Sequence, residues 1–228
     1  MRRQTSCDRI MADAVGLICG KVEGETDGFP SWHAFYASLS GWRPRYYHRL
    51  VGWESPVQVM WKLNTDGCSL GNLGKSGGGG VLRDASGELV FGFSIPLGEV
   101  TSLQAEAKSL IYGVQQCVLR GFSSIQVEVD SLLLANILQG KSKCSWLIRS
   151  EIATFQAICT LARTVGHCYR EANQVADALA KVGANGSGNV LYTSQSELPR
   201  PVRGALILDK AGTPAIRVRA IRKQTPLY

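Results

Sequence analysis

Two stretches of strictly alternating residues, each closing on an aspartate, constrain this chain more than anything else in it. From Val59 to Asp66, the residues Val59, Trp61, Leu63 and Thr65 share one face, and Met60, Lys62, Asn64 and Asp66 share the other. That period of two is what a pleated strand imposes, so Asp66 ends a strand on its more polar face. The same parity returns in Ile125 to Asp130, where Ile125, Val127 and Val129 alternate with Gln126, Glu128 and Asp130. This is again a strand with an acid at its carboxyl end. If the two strands lie side by side and parallel, Asp66 and Asp130 are neighbours. Between them the period changes to that of a helix, with Leu103, Ala107, Leu110, Ile111, Val114 and Val118 forming an apolar stripe and Glu106 beside it in the first turns. Thr101 or Ser102 is the expected cap and Gly121 the expected stop. Asp177 falls on a last short helix, one turn after Asn173.

The four acids Asp66, Glu106, Asp130 and Asp177 thus sit on four different elements, which is how a carboxylate cage for divalent metal is built. Two hard cations held roughly 3.5–4 Å apart activate a water and stabilise a leaving oxygen in phosphodiester cleavage, and Mg²⁺ prefers oxygen ligands. The expected chemistry is hydrolysis of a nucleic-acid backbone.

Five ordered blocks extend this pattern: Trp61-Lys62-Leu63-Asn64-Thr65-Asp66-Gly67, Gly78-Gly79-Gly80-Val81-Leu82-Arg83-Asp84 with Gly87, Ala105-Glu106-Ala107, Glu128-Val129-Asp130-Ser131, and Tyr169-Arg170-Glu171-Ala172-Asn173 leading to Ala176-Asp177-Ala178-Leu179-Ala180. Together, from about Trp53 to Gly183, they resemble the type 1 ribonuclease H domain, in particular the plant subgroup found in or derived from non-LTR retroelement reverse transcriptases. The order of the blocks, with β-β-β-α-β-α-α-β-α patterning between them, carries the resemblance. It implies an α/β ribonuclease H-like fold, a mixed five-stranded sheet flanked by helices. It further implies a metal-dependent endonuclease that cleaves the RNA strand of RNA–DNA hybrids with two Mg²⁺ or Mn²⁺ ions, and metal-ligand and catalytic roles for Asp66, Glu106, Asp130 and Asp177. Gly67, Arg170 and Asn173 are the matching candidates for nucleic-acid contact.

One position departs from the bacterial members. His167 stands ten residues before Asp177, the bacterial count, without the bacterial glycine-histidine loop around it. Thr164 to Arg170 reads as a strand, which makes His167 a packed strand residue or an auxiliary of catalysis, while sequence context puts Arg170 where the mobile histidine sits. A permanent cation there suits a phosphate contact or a surface ion pair.

Length supports a domain over residues 53–184, an irregular N-terminal linker or polyprotein remnant over 1–52, and a basic extension over 185–228. The net charge of +7 is unevenly spread. Between residues 51 and 184, eleven Lys and Arg meet eleven Asp and Glu, whereas after 184 there are seven cations against two acids. Such a tail adds salt-sensitive attraction to phosphates or acts only as a solubilising appendage. Within it, Leu206-Ile207-Leu208 and the following Asp209 to Pro214 read as a strand and turn. Aromatic and arginine residues interleave between Asp27 and Tyr47, a pattern that stacks on single-stranded bases when it is not simply a linker. The Gly77–Gly80 run fails as a phosphate loop because Ser69 stands where the first glycine belongs, and reads instead as a turn entering a strand at Val81 to Arg83. Lys141, Lys143 and Trp146 read as a solvated loop with Trp146 covering the core, before a helix carrying Ile148, Ile152, Phe155, Ile158 and Leu161.

Seven cysteines without a C-x-x-C pair argue against a disulfide framework and a zinc site, and point to an intracellular compartment, nucleus or cytoplasm. An Arg2-Arg3 start suits an organellar leader and Asp8 and Asp13 count against one, so targeting stays open. No apolar run reaches the ~20 residues of a membrane span. Two functional classes follow: an active endonuclease on RNA–DNA hybrids, or a catalytically inactive nucleic-acid-binding remnant of a retroelement protein. Four converging carboxylates repel one another without metal and serve no purpose in a remnant, which favours the first.

Overall fold

The alternating stretches become strands on either side of the acids. The computed structural model describes residues 45–221 apart from 58, 72, 160 and 161. Its elements are β1 (Arg45–Val51), β2 (Trp61–Ser69), β3 (Gly74–Arg83), β4 (Leu89–Val100), α1 (Ser102–Leu119), β5 (Ile125–Val129), α2 (Leu132–Leu138), α3 (Arg149–Ile158), β6 (Ala162–His167), α4 (Gln174–Asn185), β7 (Val190–Tyr192), α5 (Arg200–Lys210) and β8 (Ala215–Ile221). Short 3-10 turns lie at Trp146–Ile148 and Arg170–Ala172. Residues 48–218 form one compact unit, and the chain's two ends are assigned to another. The N-terminal stretch 1–44, Leu161, Arg222 and Lys223, on which several expectations fell, lie outside the described residues.

Six strands make one sheet in the order β6-β5-β2-β3-β4-β7, and β1 pairs with β8 in a separate ribbon. β2 is antiparallel to β3 and parallel to β5, so the sheet is mixed, as expected. The five expected strands gain a sixth, because three residues of β7 pair with the free edge of β4.

Alternation along the strands sends side chains to two cores. On one face Leu63, Leu82, Phe93 and Val127 pack with Leu110 and Val114 of α1 and with Leu134, Ile148 and Phe155. On the other, Val81 packs with Val175 and Leu179 of α4 and with Val202 and Leu206 of α5. Each fully buried Leu or Phe contributes roughly 1.5–3 kcal/mol of transfer free energy. α1 begins as expected at Thr101, whose hydroxyl accepts from the Gln104 backbone in a reciprocal capping box, and Gly121 follows its end at φ 73°.

Several details differ from the sequence reading. Val59 is not in β2: it has φ 71° and is 92% exposed, and the strand starts at Trp61 and runs to Ser69, so Asp66 lies inside a strand rather than at its end. The glycine run is no turn but the middle of β3. A Cβ on Gly77 would collide with Ala184 N and Ala180 O, and one on Gly79 with Ala180 N and Leu179 C, so glycine is what lets α4 lie backbone to backbone on the sheet. Trp146 does not cover the core; it is 78% exposed, and Ile148 is the buried residue of its turn. Leu206 to Leu208 belong to the helix α5, where Val202 and Leu206, four apart, bury one face.

Residues 185–218, read as an extension, take part in the same compact unit. Arg83 is 1% exposed, lies over the Trp53 ring at 3.8 Å, and bonds Asp209 of α5 at 2.7 Å and Asn64 Oδ1 at 2.8 Å. A buried guanidinium needs such a partner set.

Candidate active site

The site grows out of strand register. Thr65 of β2 pairs with Val129 of the parallel strand β5, so the next residues, Asp66 and Asp130, stand at the same height on adjacent strands. Val129 in turn pairs with His167, which ends β6 on the third strand. Gly67 then admits α1: a Cβ there would collide with the Ala105 carbonyl carbon and the Glu106 nitrogen, so the missing side chain lets the first turn of the helix touch the strand beside Asp66. That contact delivers Glu106. The fourth acid arrives on α4, whose start is tied to β2 by Asn173, its Nδ2 donating to the Thr65 carbonyl at 3.0 Å.

A cleft of about 500 Å³ opens where these elements meet, lined by Asp66, Gly67, Glu106, Asp130, His167 and Arg170, among others. Asp177 lines an adjoining depression of about 420 Å³, which shares Arg170 with the cleft. Arg170 bonds one Asp177 oxygen at 2.7 Å and Lys181, one turn along α4, bonds the other. Asn173 is 1% exposed, and its side chain fastens α4 to β2. Glu128, on the face of Asp130, is engaged by Lys62 at 2.7 Å and by Asn64 at 3.1 Å.

The electrostatics are those of crowded negative charge. Burial, then the charges of Asp130, Asp177 and Glu106, push the Asp66 carboxyl up to about 8. Burial likewise raises Glu106 to about 7, against a hydrogen bond with the Ser131 side chain, and raises Asp130. Asp66 and Asp130 share a hydrogen bond, in keeping with a proton held by Asp66. Asp177 goes the other way: burial acts to raise it, but the hydrogen bonds and charges of Lys181 and Arg170 prevail and hold it below the usual carboxylate range.

These residues fit a hard divalent cation by donor chemistry. The donors are all oxygens, and Glu106 Oε2 is buried with no hydrogen-bond partner, the condition a cation would relieve. The set is not preassembled: among the described residues no three His, Cys, Asp or Glu side chains are already gathered as a metal-binding group. Both Asp177 oxygens are paired with cations, one with Arg170 and one with Lys181.

Sequence reasoning missed Lys181 and Arg217. The first was legible as a cation four residues after Asp177 on a helix. Arg217 lies on β8, far along the chain, and no local pattern announces that it lines the cleft.

Comparison with known proteins agrees with this geometry. The family model described as Reverse transcriptase-like matches residues 64–183, more than half of the chain. An Arabidopsis thaliana protein named "Putative ribonuclease H protein" is 38% identical over 136 residues, 58% of this chain, which spans only 22% of that relative's length. Among solved structures, ribonuclease H1 of Halobacterium salinarum has 27% identity and a TM-score of 0.53, over 56% of this chain and 99% of that one. LC11-RNase H1, solved in complex with RNA/DNA hybrid, has 27% identity and a TM-score of 0.52, over 55% of this chain and 96% of that one. The sheet order, the acids at its centre and the family match together mean that this chain belongs to the Reverse transcriptase-like family and carries a ribonuclease H-like domain.

Proposed function

We propose that the chain is a metal-dependent endonuclease that hydrolyses the RNA strand of RNA–DNA hybrids, of the type 1 ribonuclease H kind found in plant retroelements. The observation that carries the reading is the cluster of Asp66, Glu106 and Asp130 in one cleft, with a buried, unpartnered Glu106 oxygen and carboxyls raised by burial and mutual repulsion. A purely structural site gains nothing from such groups. Asp66, Glu106, Asp130 and Asp177 would hold two Mg²⁺ or Mn²⁺ ions, which when bound supply an activated water and stabilise the leaving oxygen. The surrounding residues do the positioning. Asn173 keeps α4 on β2, Gly67 keeps Glu106 at the strand, and Arg170 presents an exposed cation to a phosphate once Asp177 is engaged elsewhere.

A second reading, an inactive binding remnant, draws on the pairing of Asp177 with Arg170 and Lys181, which occupies the fourth acid. The two separate in one assay: labelled RNA–DNA hybrid, duplex RNA and duplex DNA, each with and without Mg²⁺ or Mn²⁺. Cleavage confined to the RNA strand of the hybrid, and dependent on metal, is the expected result. Binding of the hybrid without cleavage at any metal concentration establishes the remnant.

A further inference from the structure

Outside the family-matched stretch, Arg217 lines the acid cleft, and Arg49 lines a neighbouring depression that shares His167 and Tyr169 with it. Arg217, on β8, also lines the depression that holds Asp177. Its guanidinium carbon lies 4.5 Å from the centre of the Tyr169 ring, and its Nη1 donates to the two oxygens of Glu171 at 3.0 and 2.8 Å. Arg49, on β1, approaches the same ring at 5.4 Å and donates to the Tyr169 hydroxyl at 3.4 Å. Two guanidinium groups on one tyrosine repel each other, and Glu171 answers only one of them. Arg49 has no carboxylate partner among the described residues and is exposed.

Next to them Arg170 and Lys181 share the single carboxylate of Asp177. Excess cation beside an acid cleft is what a polyanion needs to approach that cleft, and a planar guanidinium fixed on an aromatic face loses little freedom on binding a phosphate.

We propose that Arg217 and Arg49, seated on Tyr169, form a phosphate-binding rim that holds the sugar–phosphate backbone of the hybrid as it leaves the acid cleft. The inference rests on the hybrid-cleaving function proposed above and adds to it a subsite made by the β1–β8 ribbon. Tyr169 and Glu171 are its positioning residues: the ring supports both arginines and the carboxylate sets the orientation of Arg217.

The test is fluorescence anisotropy with a labelled RNA–DNA hybrid in Mg²⁺ at several salt concentrations. The full chain carries Asp66→Asn, which suppresses cleavage, and is compared with the same chain bearing Arg217→Gln, Arg49→Gln or both. Each single change is expected to weaken binding about 3–10-fold and to lower the log–log salt slope by about one unit, and the pair by about two. Arg217→Lys, which keeps the charge, is expected to keep the slope. Lys210→Gln, which removes a cation paired with Glu88 instead, serves as the control and leaves the affinity unchanged. If the Asp66→Asn chain binds the hybrid and the Gln variants retain its slope, the rim is overturned, whether or not their affinity falls. If that chain does not bind the hybrid at all, the function proposed above is what fails. Arg49 is exposed at the strand surface, so its variant keeps the test alive should Arg217→Gln unfold.

Discussion

Asp66 is held in its protonated form by burial and by three neighbouring carboxyls, and this has a sign that can be measured. Its folded-state pKa, about 8, lies above the ordinary value of 3.8. The folded state therefore loses stability relative to the unfolded state as pH rises from about 4 through about 8, and nothing is lost below that window, where the carboxyl is protonated in both states. Asp66→Asn removes the ionisable group while keeping its volume. In chelator at pH 8 the variant is expected to be more stable than the parent by on the order of 1–3 kcal/mol, the gap closing towards pH 4. Denaturant melts of both proteins across that range check it, and a gap that widens on acidification would show that Asp66 is not a strained acid. The polar-face positions of Asp66 and Asp130 were legible because side-chain parity within a strand is a local property of sequence, whereas the parallel pairing that makes them neighbours is tertiary. The Asp177 pairing with Arg170 was not legible, since it depends on how the 3-10 turn at Arg170–Ala172 folds back on α4.

At the scale of elements, the glycines of β3 decide where α4 sits. The sequence pattern suggested a turn because glycine punctuates chains more often than it fills strands. In the structure the run is a seat, visible only once a second helix is laid across it. Gly79→Ala places a methyl against the Ala180 nitrogen and the Leu179 backbone, and rigid helix backbone cannot give way cheaply. The expected outcome is a destabilisation of about 1–3 kcal/mol, together with loss of activity because α4 carries Asp177 away from the cleft. Equilibrium unfolding and a hybrid-cleavage assay on the same preparation test this. Unchanged stability would mean that the contact between α4 and β3 is looser than described.

For the whole molecule, the sequence marked residues 185–228 as a tail because their charge differs from that of the domain before them. Composition does not reveal that Asp209 closes a buried network. Trp53 and Arg83 both donate to Asn64 Oδ1 near the start of the domain, and the carboxylate that answers Arg83 arrives more than a hundred residues later. Asp209→Ala leaves the Arg83 guanidinium buried and unpaired, and is expected to destabilise the chain by about 3–5 kcal/mol. Burial also raises the Asp209 carboxyl despite Arg83. Truncation after residue 184 should be at least as damaging, since it also removes β7 from the edge of β4 and α5 from α4. Circular dichroism melts of both forms decide it, and a truncated chain as stable as the parent would return these residues to the status of an appendage.

The proposed function rests on Asp66 inside β2, Asp130 just past the end of β5, Glu106 on α1 and Asp177 on α4 running a metal-dependent hydrolysis. The most direct measurement is the initial rate of RNA-strand cleavage in a labelled hybrid as a function of Mg²⁺, for the parent and for Asp130→Asn, with folding of both verified by circular dichroism. The expected result is cleavage that appears only with Mg²⁺, is abolished by chelator, and falls by about 10²–10⁴-fold or more in the variant. Cleavage at the parental rate by a folded Asp130→Asn protein, or cleavage that persists in chelator, would contradict it.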